Sequence, residues 1–443
     1  MTNKILVDTN ILVYAFTDID LNRQKIAKEL LKNLINNNES LAISIQNVVE
    51  FTKTTKVKFS KPITDERLDE ILSKFRINFD IISYDINTIK RISPLLKEST
   101  DFFDCLLVAT MQDYDIDTII TENEKDFNKI KHLNIINPFK WLIMNYMNLP
   151  KEYRNKDKSR VIILPISFKT KTTRKNESHL GPKAIIDASQ ELEYFEEDLF
   201  CEPHEVGIFT EEELKIKDTD FTKIKHKILD KFSKVYDGKK FPVVLGSDHS
   251  TTIPIIEALE EKEKDFGVIV FDAHSDLREP WGKDTWWHAC VSREISKKHK
   301  TLLVGTRSMD NTDLQFLQSK QGNNTGLIFA KDLLSSKKAH NWDLSHCFEL
   351  EEKLRQLPKK IYISIDVDVF DPAIIRYTDT PEPGGINWTQ INNLLKIIFT
   401  EKEVLGADIV EFSPEAKDKA SFSESYLLSK LIYKIIAYKY YIK

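Results

Sequence analysis

Six residues of the types that commonly bind metal ions follow three apolar stretches of the sequence, in the segments GSDHS, DAHSD and IDVDV: His249, Asp272, His274, Asp276, Asp366 and Asp368. In an extended segment, side chains two residues apart project to the same side, so the members of each segment can converge. Four clustered carboxylates would repel one another strongly unless divalent cations neutralised them. Mixed carboxylate and imidazole ligands suit Mn²⁺, with Zn²⁺ or Fe²⁺ as alternatives.

The elements that must position these residues are strands. From about residue 161, helical stretches alternate with apolar runs: RVIILPI, FPVVLG, FGVIVFD, TLLVGT, GLIFA, KIYISIDVD and VLGADIVEFSP. Runs without a polar face indicate strands buried on both sides, as in a parallel sheet covered by helices. Ligands of such a sheet bind beyond the carboxyl ends of its strands, where the six candidates stand. The final segment, ESYLLSKLIYKIIAYKYY, predicts an amphipathic helix docked on the core, although its lysines leave a membrane-surface role open.

Residues 1–142 predict a separate compact α/β unit. KILVD predicts a strand ending in Asp8, and SLAISIQNVVEF predicts a strand followed by a helix capped near Ser44. STDFFDCLLVATMQ predicts a helix that Ser99 or Thr100 caps, and DTIITENEKDF predicts a strand followed by an acidic turn. A chain of 443 residues is longer than one hydrophobic core usually supports. We therefore predict domains at 1–142 and 161–443 joined by a polar linker at 143–160.

The composition favours a soluble cytoplasmic protein. No apolar run approaches the roughly 18–20 residues that span a bilayer, and the first residues lack the features of a signal peptide. The 4 cysteines are scattered without close spacing, which suits a reducing compartment and argues against a thiolate zinc site. A net charge of −5 gives no global attraction to nucleic acid. We therefore expect no membrane partner.

The segments GSDHS, DAHSDLR and SIDVDVFDPA, together with HACVSREI, TPEPGGINW and DIVEFSP, resemble the ureohydrolases of the arginase and agmatinase superfamily over about residues 165–443. The agmatinase branch is the most similar. The resemblance implies an arginase-like parallel-sheet α/β/α sandwich and Mn²⁺-dependent hydrolysis of a guanidino compound. It also implies that one Mn²⁺ is held by His249, Asp272, Asp276 and Asp366 and a second by His274, Asp272, Asp366 and Asp368.

The same resemblance implies three catalytic roles. Asp276 would hydrogen-bond the attacking hydroxide and accept its proton, His288 would deliver a proton to the leaving amine, and Glu411 would pair with the guanidinium. The loop LREPWGKDTWW lacks the Asn and Ser that read the α-carboxylate in arginases, which counts against arginine. Trp287 is expected to cap or fill the pocket. Arg376, expected near the pocket, would disfavour a cationic tail, so another guanidino or amide-like substrate stays open.

The first unit resembles a PIN domain of the toxin–antitoxin ribonuclease kind, by the ordered segments VDTNILVYAF, NVVEF, FFDCLLVATM and TENEKDFNKI. The resemblance implies an α/β/α fold in which Asp8, Glu50 and Asp104 hold Mg²⁺ or Mn²⁺ for phosphodiester cleavage. Asn123 stands where the family often has a fourth acid, and Asp126 is the nearby candidate. An inactive PIN-like scaffold is the alternative.

RNA, or DNA, is the expected partner of this unit. The basic segment TKTTKVKFSK, residues 52–61, follows Glu50 and is the best candidate for phosphate contacts, with an ordinary solvated face as the alternative.

Three functions are consistent with the sequence. The first is a two-domain enzyme with an agmatinase-like hydrolase fused to a ribonuclease. The second is a toxin or antiviral-defence nuclease whose ureohydrolase-like domain senses a ligand or assembles the particle. The third is a metabolic ureohydrolase with a structural PIN-like domain. The resemblances also imply a homo-oligomer, as a trimer, a hexamer or a larger particle.

Overall fold

The computed structural model describes residues 4–37, 39–59, 61–96, 101–128, 130, 132–139, 145–169, 177–279, 287–334, 347–415 and 421–442. The chain forms two compact units, Met1–Ile143 and Met144–Lys443. Each unit is a parallel α/β structure with its own sheet.

The strands of the first unit are β1 (Ile5–Val7), β2 (Leu41–Ser44), β3 (Asp80–Ile82), β4 (Thr118–Ile120) and β5 (Asn134–Ile136). Its helices are α1 (Thr9–Phe16), α2 (Leu21–Asn36), α3 (Ile45–Lys53), α4 (Asp65–Asn78), α5 (Ile86–Lys90), α6 (Ile92–Leu95), α7 (Phe102–Asp113) and α8 (Glu124–Phe127). The five strands are parallel in the order β3-β2-β1-β4-β5. One core lies on each face of this sheet, with α1 to α4 on one side and α7 and α8 on the other.

Helix caps in the first unit show where the sequence prediction holds and where it fails. Ser44 caps α3 in a capping box with Asn47, as predicted. Helix α7 is capped by Asp101, whose Oδ1 accepts hydrogen bonds from two backbone N–H groups of the first turn. The predicted caps Ser99 and Thr100 lie outside the described residues. The predicted acidic turn after β4 contains the short helix α8.

The strands of the second unit are β6 (Val161–Phe168), β7 (Ile208–Thr210), β8 (Leu214–Ile216), β9 (Phe241–Leu245), β10 (Phe266–Phe271), β11 (Thr301–Thr306), β12 (Thr325–Phe329), β13 (Lys360–Asp366) and β14 (Glu403–Val410). Its helices are α9 (Gly181–Ala188), α10 (Phe221–Val235), α11 (Thr252–Glu260), α12 (Val291–Ser296), α13 (Asn311–Gln318), α14 (Ala330–Leu334), α15 (Phe348–Gln356), α16 (Trp388–Glu401) and α17 (Phe422–Tyr441).

All nine of these strands run parallel, in the order β12-β11-β10-β13-β14-β9-β6-β7, with β8 also paired to β6. Alternate residues of β10 enter different cores: Ile269 and Phe271 pack with α9, α15, α16 and α17, whereas Val268 and Val270 pack with α10 to α13. The predicted α/β class and helix-covered parallel sheet are thereby confirmed, and all seven predicted strands are present. Two further strands, β7 and β8, have three residues each and were too short to show in the sequence pattern.

Two segments outside the sheet complete the second unit. The predicted terminal helix is α17, and its Leu428, Leu431 and Ile435 are fully buried. The linker was expected at 143–160; residues 143 and 144 lie outside the described residues, and the segment from residue 145 onward packs against the second unit. The Tyr146 hydroxyl donates a hydrogen bond of 2.6 Å to the carbonyl of Ser429, and its ring is buried. Among the described helices, none combines the length and apolar composition that a membrane crossing requires.

Candidate metal centre and active site

The six predicted metal ligands follow the carboxyl ends of adjacent strands. β10, β13, β14 and β9 are consecutive in the sheet and parallel, so their carboxyl ends lie along one edge. His249 follows β9, the segment 272–276 follows β10, Asp366 and Asp368 lie at and just beyond the end of β13, and Glu411 follows β14. The local folding of four apolar strands therefore brings residues that are far apart in the sequence to one place.

The first cluster surrounds His249, which is fully buried. Its Nδ1 atom lies 3.1 Å from Asp272 Oδ2, 3.2 Å from Asp276 Oδ2 and 3.3 Å from Asp366 Oδ2. Neither Nδ1 nor Asp272 Oδ2 makes a hydrogen bond of acceptable geometry within the described part of the chain. One nitrogen and three carboxylate oxygens thus face a common point without bonding one another.

Hydrogen bonds behind the ring orient His249. Its Nε2 lies 3.1 Å from Ser364 Oγ, and Ser364 donates a 2.6 Å hydrogen bond to the buried Asp408 carboxylate. Because the Ser364 proton is directed to Asp408, its oxygen accepts from Nε2–H, which leaves the Nδ1 lone pair towards the three carboxylates. A lone pair among carboxylates is the environment of a metal ligand. Ser364 and Asp408 were not identified from the sequence, although an aspartate inside the apolar run VLGADIV was a usable signal.

The second cluster surrounds His274. Its Nδ1 lies 2.8 Å from Asp368 Oδ2 and 3.7 Å from Asp272 Oδ1. Backbone hydrogen bonds position these carboxylates: the N–H of His274 donates to Asp272 Oδ1 at 2.6 Å, and that of Ala273 donates to Asp368 Oδ1 at 3.0 Å. Asp272 therefore reaches both clusters through its two oxygens.

The electrostatics of the clusters show crowded negative charge. Burial raises the pKa of Asp366 well above its usual range, and the charges of Asp368 and Asp272 raise it further. Burial also raises the pKa of Glu411. Burial lowers the pKa of His274, but hydrogen bonds with Asp272 and Asp368 outweigh it and bring the pKa to about 12. The site thus favours added positive charge, which divalent cations supply.

The donor set fits a pair of cations. Two triplets of ligand atoms each lie within 4.8 Å of one another, namely His249, Asp272 and Asp366, and Asp272, His274 and Asp368. Asp272 is common to both triplets, and Asp276 faces the first. Carboxylate and imidazole donors of this kind suit Mn²⁺ and related first-row ions.

A third acidic triplet, Glu196, Glu197 and Asp198, surrounds the ammonium group of a lysine. The ammonium of Lys434, which is buried, contacts all three carboxylates and lies 2.7 Å from Asp198 Oδ2 and 2.9 Å from Glu197 Oε1. This cluster is an internal ion pair that holds α17 to the rest of the second unit.

His288 and Trp287 lie beside the first cluster. Both line a cavity of about 560 Å³ whose walls include His249, Asp276 and Glu411. His288 Nδ1 is 3.4 Å from Asp248 Oδ2, and the rings of His288 and Trp287 meet edge to face with centroids 5.2 Å apart. Burial lowers the pKa of His288, and the carboxylates of Asp248 and Asp276 outweigh it, so the net shift is upward. The neighbouring carboxylates therefore make this imidazole more basic.

Asp276 and Glu411 share an unusual backbone conformation. Both are non-glycine residues with positive φ, 50° for Asp276 and 64° for Glu411. This left-handed conformation costs roughly 1–3 kcal/mol and is concentrated at functional sites. Glu411 Oε1 accepts a 2.7 Å hydrogen bond from the backbone N–H of His249, which fixes the carboxylate beside the first cluster.

The loop after β13 is braced by residues outside the ligand set. Asp371 Oδ2 accepts hydrogen bonds from the backbone N–H groups of Gly384 and Gly385, at 2.8 and 3.2 Å. Arg307 donates hydrogen bonds to the carbonyls of Asp368 and Phe370, at 2.7 and 3.1 Å. These contacts hold the loop that carries Asp368.

Arg376 lies elsewhere than predicted. It is absent from the residues that line the cavity. Its Nε lies 3.2 Å from Glu424 Oε1, and its side chain is largely exposed. Its charge is therefore paired at the surface, and the structure gives no reason for it to repel a cationic substrate.

The first unit brings its predicted acids close enough to interact electrostatically. Asp8 caps α1 and is 8% exposed, and its Oδ2 accepts hydrogen bonds from Thr121 Oγ1 at 2.6 Å and Asn10 Nδ2 at 2.8 Å. Thr9 Oγ1 donates to Glu50 Oε2 at 2.9 Å, which places Glu50 beside the Asp8 backbone. Burial, opposed by these hydrogen bonds, raises the pKa of Asp8 to about 6.

Asp104 and Asp126 complete this acidic group. Burial raises the pKa of Asp104 to about 7, and nearby negative charges, Asp8 and Asp126 among them, add to the shift. Asn123 donates hydrogen bonds to both Asp104 and Asp126, at 3.5 and 2.9 Å. Within the described residues of this unit, no three ligand atoms lie within 4.8 Å of one another, so this site is more open than that of the second unit.

One of the four lysines in the basic segment after Glu50 is paired with other residues of the first unit. Lys56 Nζ lies 2.5 Å from Asp65 Oδ1 and donates to the carbonyl of Ile63. Lys53, Lys58 and Lys61 are exposed.

Each of the two units matches a known protein family. The model of the Arginase family matches residues 159–437, and that of the PIN domain matches residues 5–133. N(1)-aminopropylagmatine ureohydrolase of Thermus thermophilus is 32% identical over 285 residues, covering 64% of this chain and 91% of that protein. Agmatinase of Pyrococcus horikoshii is 31% identical over 278 residues, covering 62% of this chain and 90% of that protein.

A solved structure shows the same fold. Agmatine ureohydrolase of Thermoplasma volcanium superposes with a TM-score of 0.56 at 24% identity, covering 65% of this chain and 93% of that chain. Since the family match spans more than half of the sequence and contains both ligand triplets, the chain belongs to the arginase family and carries a PIN domain at its N-terminal end.

Proposed function

We propose that the second unit hydrolyses a guanidino compound to urea and an amine with the help of two Mn²⁺ ions. The observation that carries the proposal is the pair of ligand triplets joined by Asp272. When bound, such cations lower the pKa of water and supply a nucleophile at neutral pH. His249, Asp272, Asp276 and Asp366 would hold one ion, and His274, Asp272, Asp366 and Asp368 the other.

The cavity residues would perform the remaining steps. Glu411, a buried carboxylate on the cavity wall, would pair with the planar guanidinium and hold its carbon in place. Asp276 would orient the attacking water and accept its proton. His288, whose pKa shifts upward beside the carboxylates of Asp248 and Asp276, would give a proton to the leaving nitrogen. Water adds to the guanidinium carbon, the carbon–nitrogen bond to the tail breaks, and urea and a protonated amine leave.

The charge of the cavity bears on the substrate class. The acidic residues that line it are Asp276, Asp310, Asp313, Asp366, Asp368, Asp379 and Glu411. Arg278 is the one arginine in this lining, and no lysine contributes among the described residues. The bound cations would neutralise Asp276, Asp366 and Asp368, but the remaining four acids still outnumber Arg278. A free carboxylate on the substrate would therefore meet negative charge, which disfavours arginine. Because Arg376 is paired with Glu424, a positively charged substrate tail meets no opposing charge from it.

Replacing Glu411 tests this function. Glu411→Gln keeps an oxygen for the His249 N–H but loses the charge that pairs with the guanidinium. Losing one partner of a buried charge pair costs roughly 2–5 kcal/mol, so we expect kcat/KM for urea release to fall by about 30-fold or more. Metal content should stay unchanged. Glu261→Gln makes the same change on an exposed site and should have no effect.

The decisive comparison is turnover against metal content. Full activity of Glu411→Gln on the best guanidino compound would contradict the assigned role, whereas loss of both metal and activity would make Glu411 a structural support of the metal centre.

For the first unit we propose divalent-metal-dependent cleavage of RNA, with Asp8, Glu50, Asp104 and Asp126 as the acids around Mg²⁺ or Mn²⁺. The support is the PIN-domain match together with the mutual effect of these carboxylates on the pKa of Asp104. DNA is the alternative substrate. A role in toxin–antitoxin or antiviral defence and assembly into a trimer, a hexamer or a larger particle stay predictions.

A further inference from the structure

Asp379 is a carboxylate in the active-site cavity that has no hydrogen-bond partner among the described residues. It lies on the loop after β13 and lines the same cavity as Glu411 and His288. Both of its carboxylate oxygens are shielded from solvent, and neither has a hydrogen-bond partner in the described part of the chain. None of the catalytic roles described above uses it.

Other carboxylates of the cavity have partners. Asp313 Oδ2 accepts a hydrogen bond from Ser275 Oγ at 2.7 Å, and Glu411 accepts one from the backbone N–H of His249. Shielding an ionised carboxylate without a partner is unfavourable, so a cation that arrives from outside the chain would stabilise it. Because the shielded group is acidic and lines a substrate cavity, the partner it suits is a positively charged part of a ligand.

The backbone just before Asp379 is held by hydrogen bonds. Glu424 Oε2 accepts hydrogen bonds from the N–H groups of Arg376 and Tyr377, at 3.2 and 3.1 Å. The carbonyl of Tyr377 accepts a 2.8 Å hydrogen bond from the N–H of Ser413. The loop that carries Asp379 is therefore tied to the segment that follows β14, which carries Glu411. A carboxylate held on a fixed backbone is preorganised for binding.

We propose that Asp379 is a specificity-determining residue that binds a protonated amine at the tail of the guanidino substrate. This inference rests on the proposed function of the second unit. Glu411 takes the guanidinium and Asp379 takes the opposite end, so a substrate with two positive charges is preferred over one with a neutral tail. Arginine, which carries a carboxylate beside its amine, is then rejected at this position.

The test compares substrates that differ only in the tail. The Asp379→Asn variant keeps the size of the side chain and removes its charge. Urea release is measured for wild type and variant with agmatine, which has a terminal amine, and with butylguanidine, which has none. We expect kcat/KM for agmatine to fall at least about 10-fold, in the range found for charge-assisted hydrogen bonds. For butylguanidine it should change less than about twofold. Asp265→Asn, an exposed acid in the same unit, is the matched control and should leave both unchanged.

An equal fall for both compounds, or no fall for either, would overturn the inference. If wild type releases urea from neither compound, the proposed function fails. The role of Asp379 in binding an amine is then tested by calorimetry, with agmatine added to the Mn²⁺-loaded full chain. Binding that weakens at least about 10-fold in Asp379→Asn but not in Asp265→Asn supports the inference without turnover. Equal binding by both variants, or no binding to wild type, overturns it.

Discussion

Asp272→Asn should abolish urea release and deplete bound metal. Asp272 is the residue common to both ligand triplets, and its two oxygens face different imidazoles, His249 at 3.1 Å and His274 at 3.7 Å. An asparagine keeps an oxygen that can accept the His274 N–H but cannot supply negative charge to two cations. Replacing groups that only orient metal ligands typically costs 10–100-fold, so loss of a shared ligand should exceed about 100-fold.

A second variant weakens the support of one candidate ligand and leaves the ligands themselves unchanged. Asp408→Asn changes the hydrogen-bond chain behind His249 without touching a proposed ion, and should reduce metal affinity or turnover by about 10–100-fold. Metal content is measured on the purified proteins, and turnover is measured with added Mn²⁺. An Asp272→Asn protein that retains two ions per chain and normal turnover would show that the two clusters do not form one metal centre.

Asp8→Asn should remove nuclease activity from the first unit while the fold is preserved. Asparagine caps helices as well as aspartate does, so the cap of α1 is retained. Burial raises the pKa of Asp8 to about 6, so above this pH the ionised carboxylate is tolerated less well by the folded than by the unfolded chain. At pH 7 the variant removes this penalty but also loses the acceptor for Asn10 Nδ2 and Thr121 Oγ1, so its melting temperature should stay close to that of wild type, whereas the charge needed for a divalent cation is lost.

Cleavage is measured on labelled single-stranded RNA and DNA with Mg²⁺ or Mn²⁺. We expect the rate to fall by about 100-fold or more, as for loss of a catalytic metal ligand. Asp115→Asn is the matched control, because Asp115 is exposed and has a positive φ of 54° that asparagine accepts readily. If Asp8→Asn cleaves as fast as wild type, the activity comes from another site or from a contaminant.

The strands of the main sheet and the clustering of the predicted ligands were predictable because parallel strands place their carboxyl ends along one edge. The apolar runs before His249, Asp272 and Asp366 are strands β9, β10 and β13, and the strand order seen in the structure, with β14 between β13 and β9, brings the predicted ligands together. The short strands β7 and β8 escaped detection because three residues show no periodicity.

Features that depend on tertiary contacts were not predictable. The positive φ of Glu411 leaves no trace in the sequence, and only the structure shows that Asp379 has no hydrogen-bond partner within the described part of the chain. Arg376 was expected at the pocket from its place beside the family motif. Its guanidinium instead forms an ion pair with the carboxylate of Glu424, 48 residues away in the sequence. A side chain's direction is set by such distant partners rather than by its neighbours in the chain.

Urea release by the Mn²⁺-loaded full-length protein is the most direct test of the central claim. The measurement compares agmatine with arginine at equal concentration, with a chelator-treated sample as control. We expect urea from agmatine, at least about 10-fold less from arginine, because its carboxylate meets an acidic cavity, and none after chelation. Release of urea from arginine at a rate equal to the best guanidino compound, or turnover that survives removal of the metal, would contradict the account.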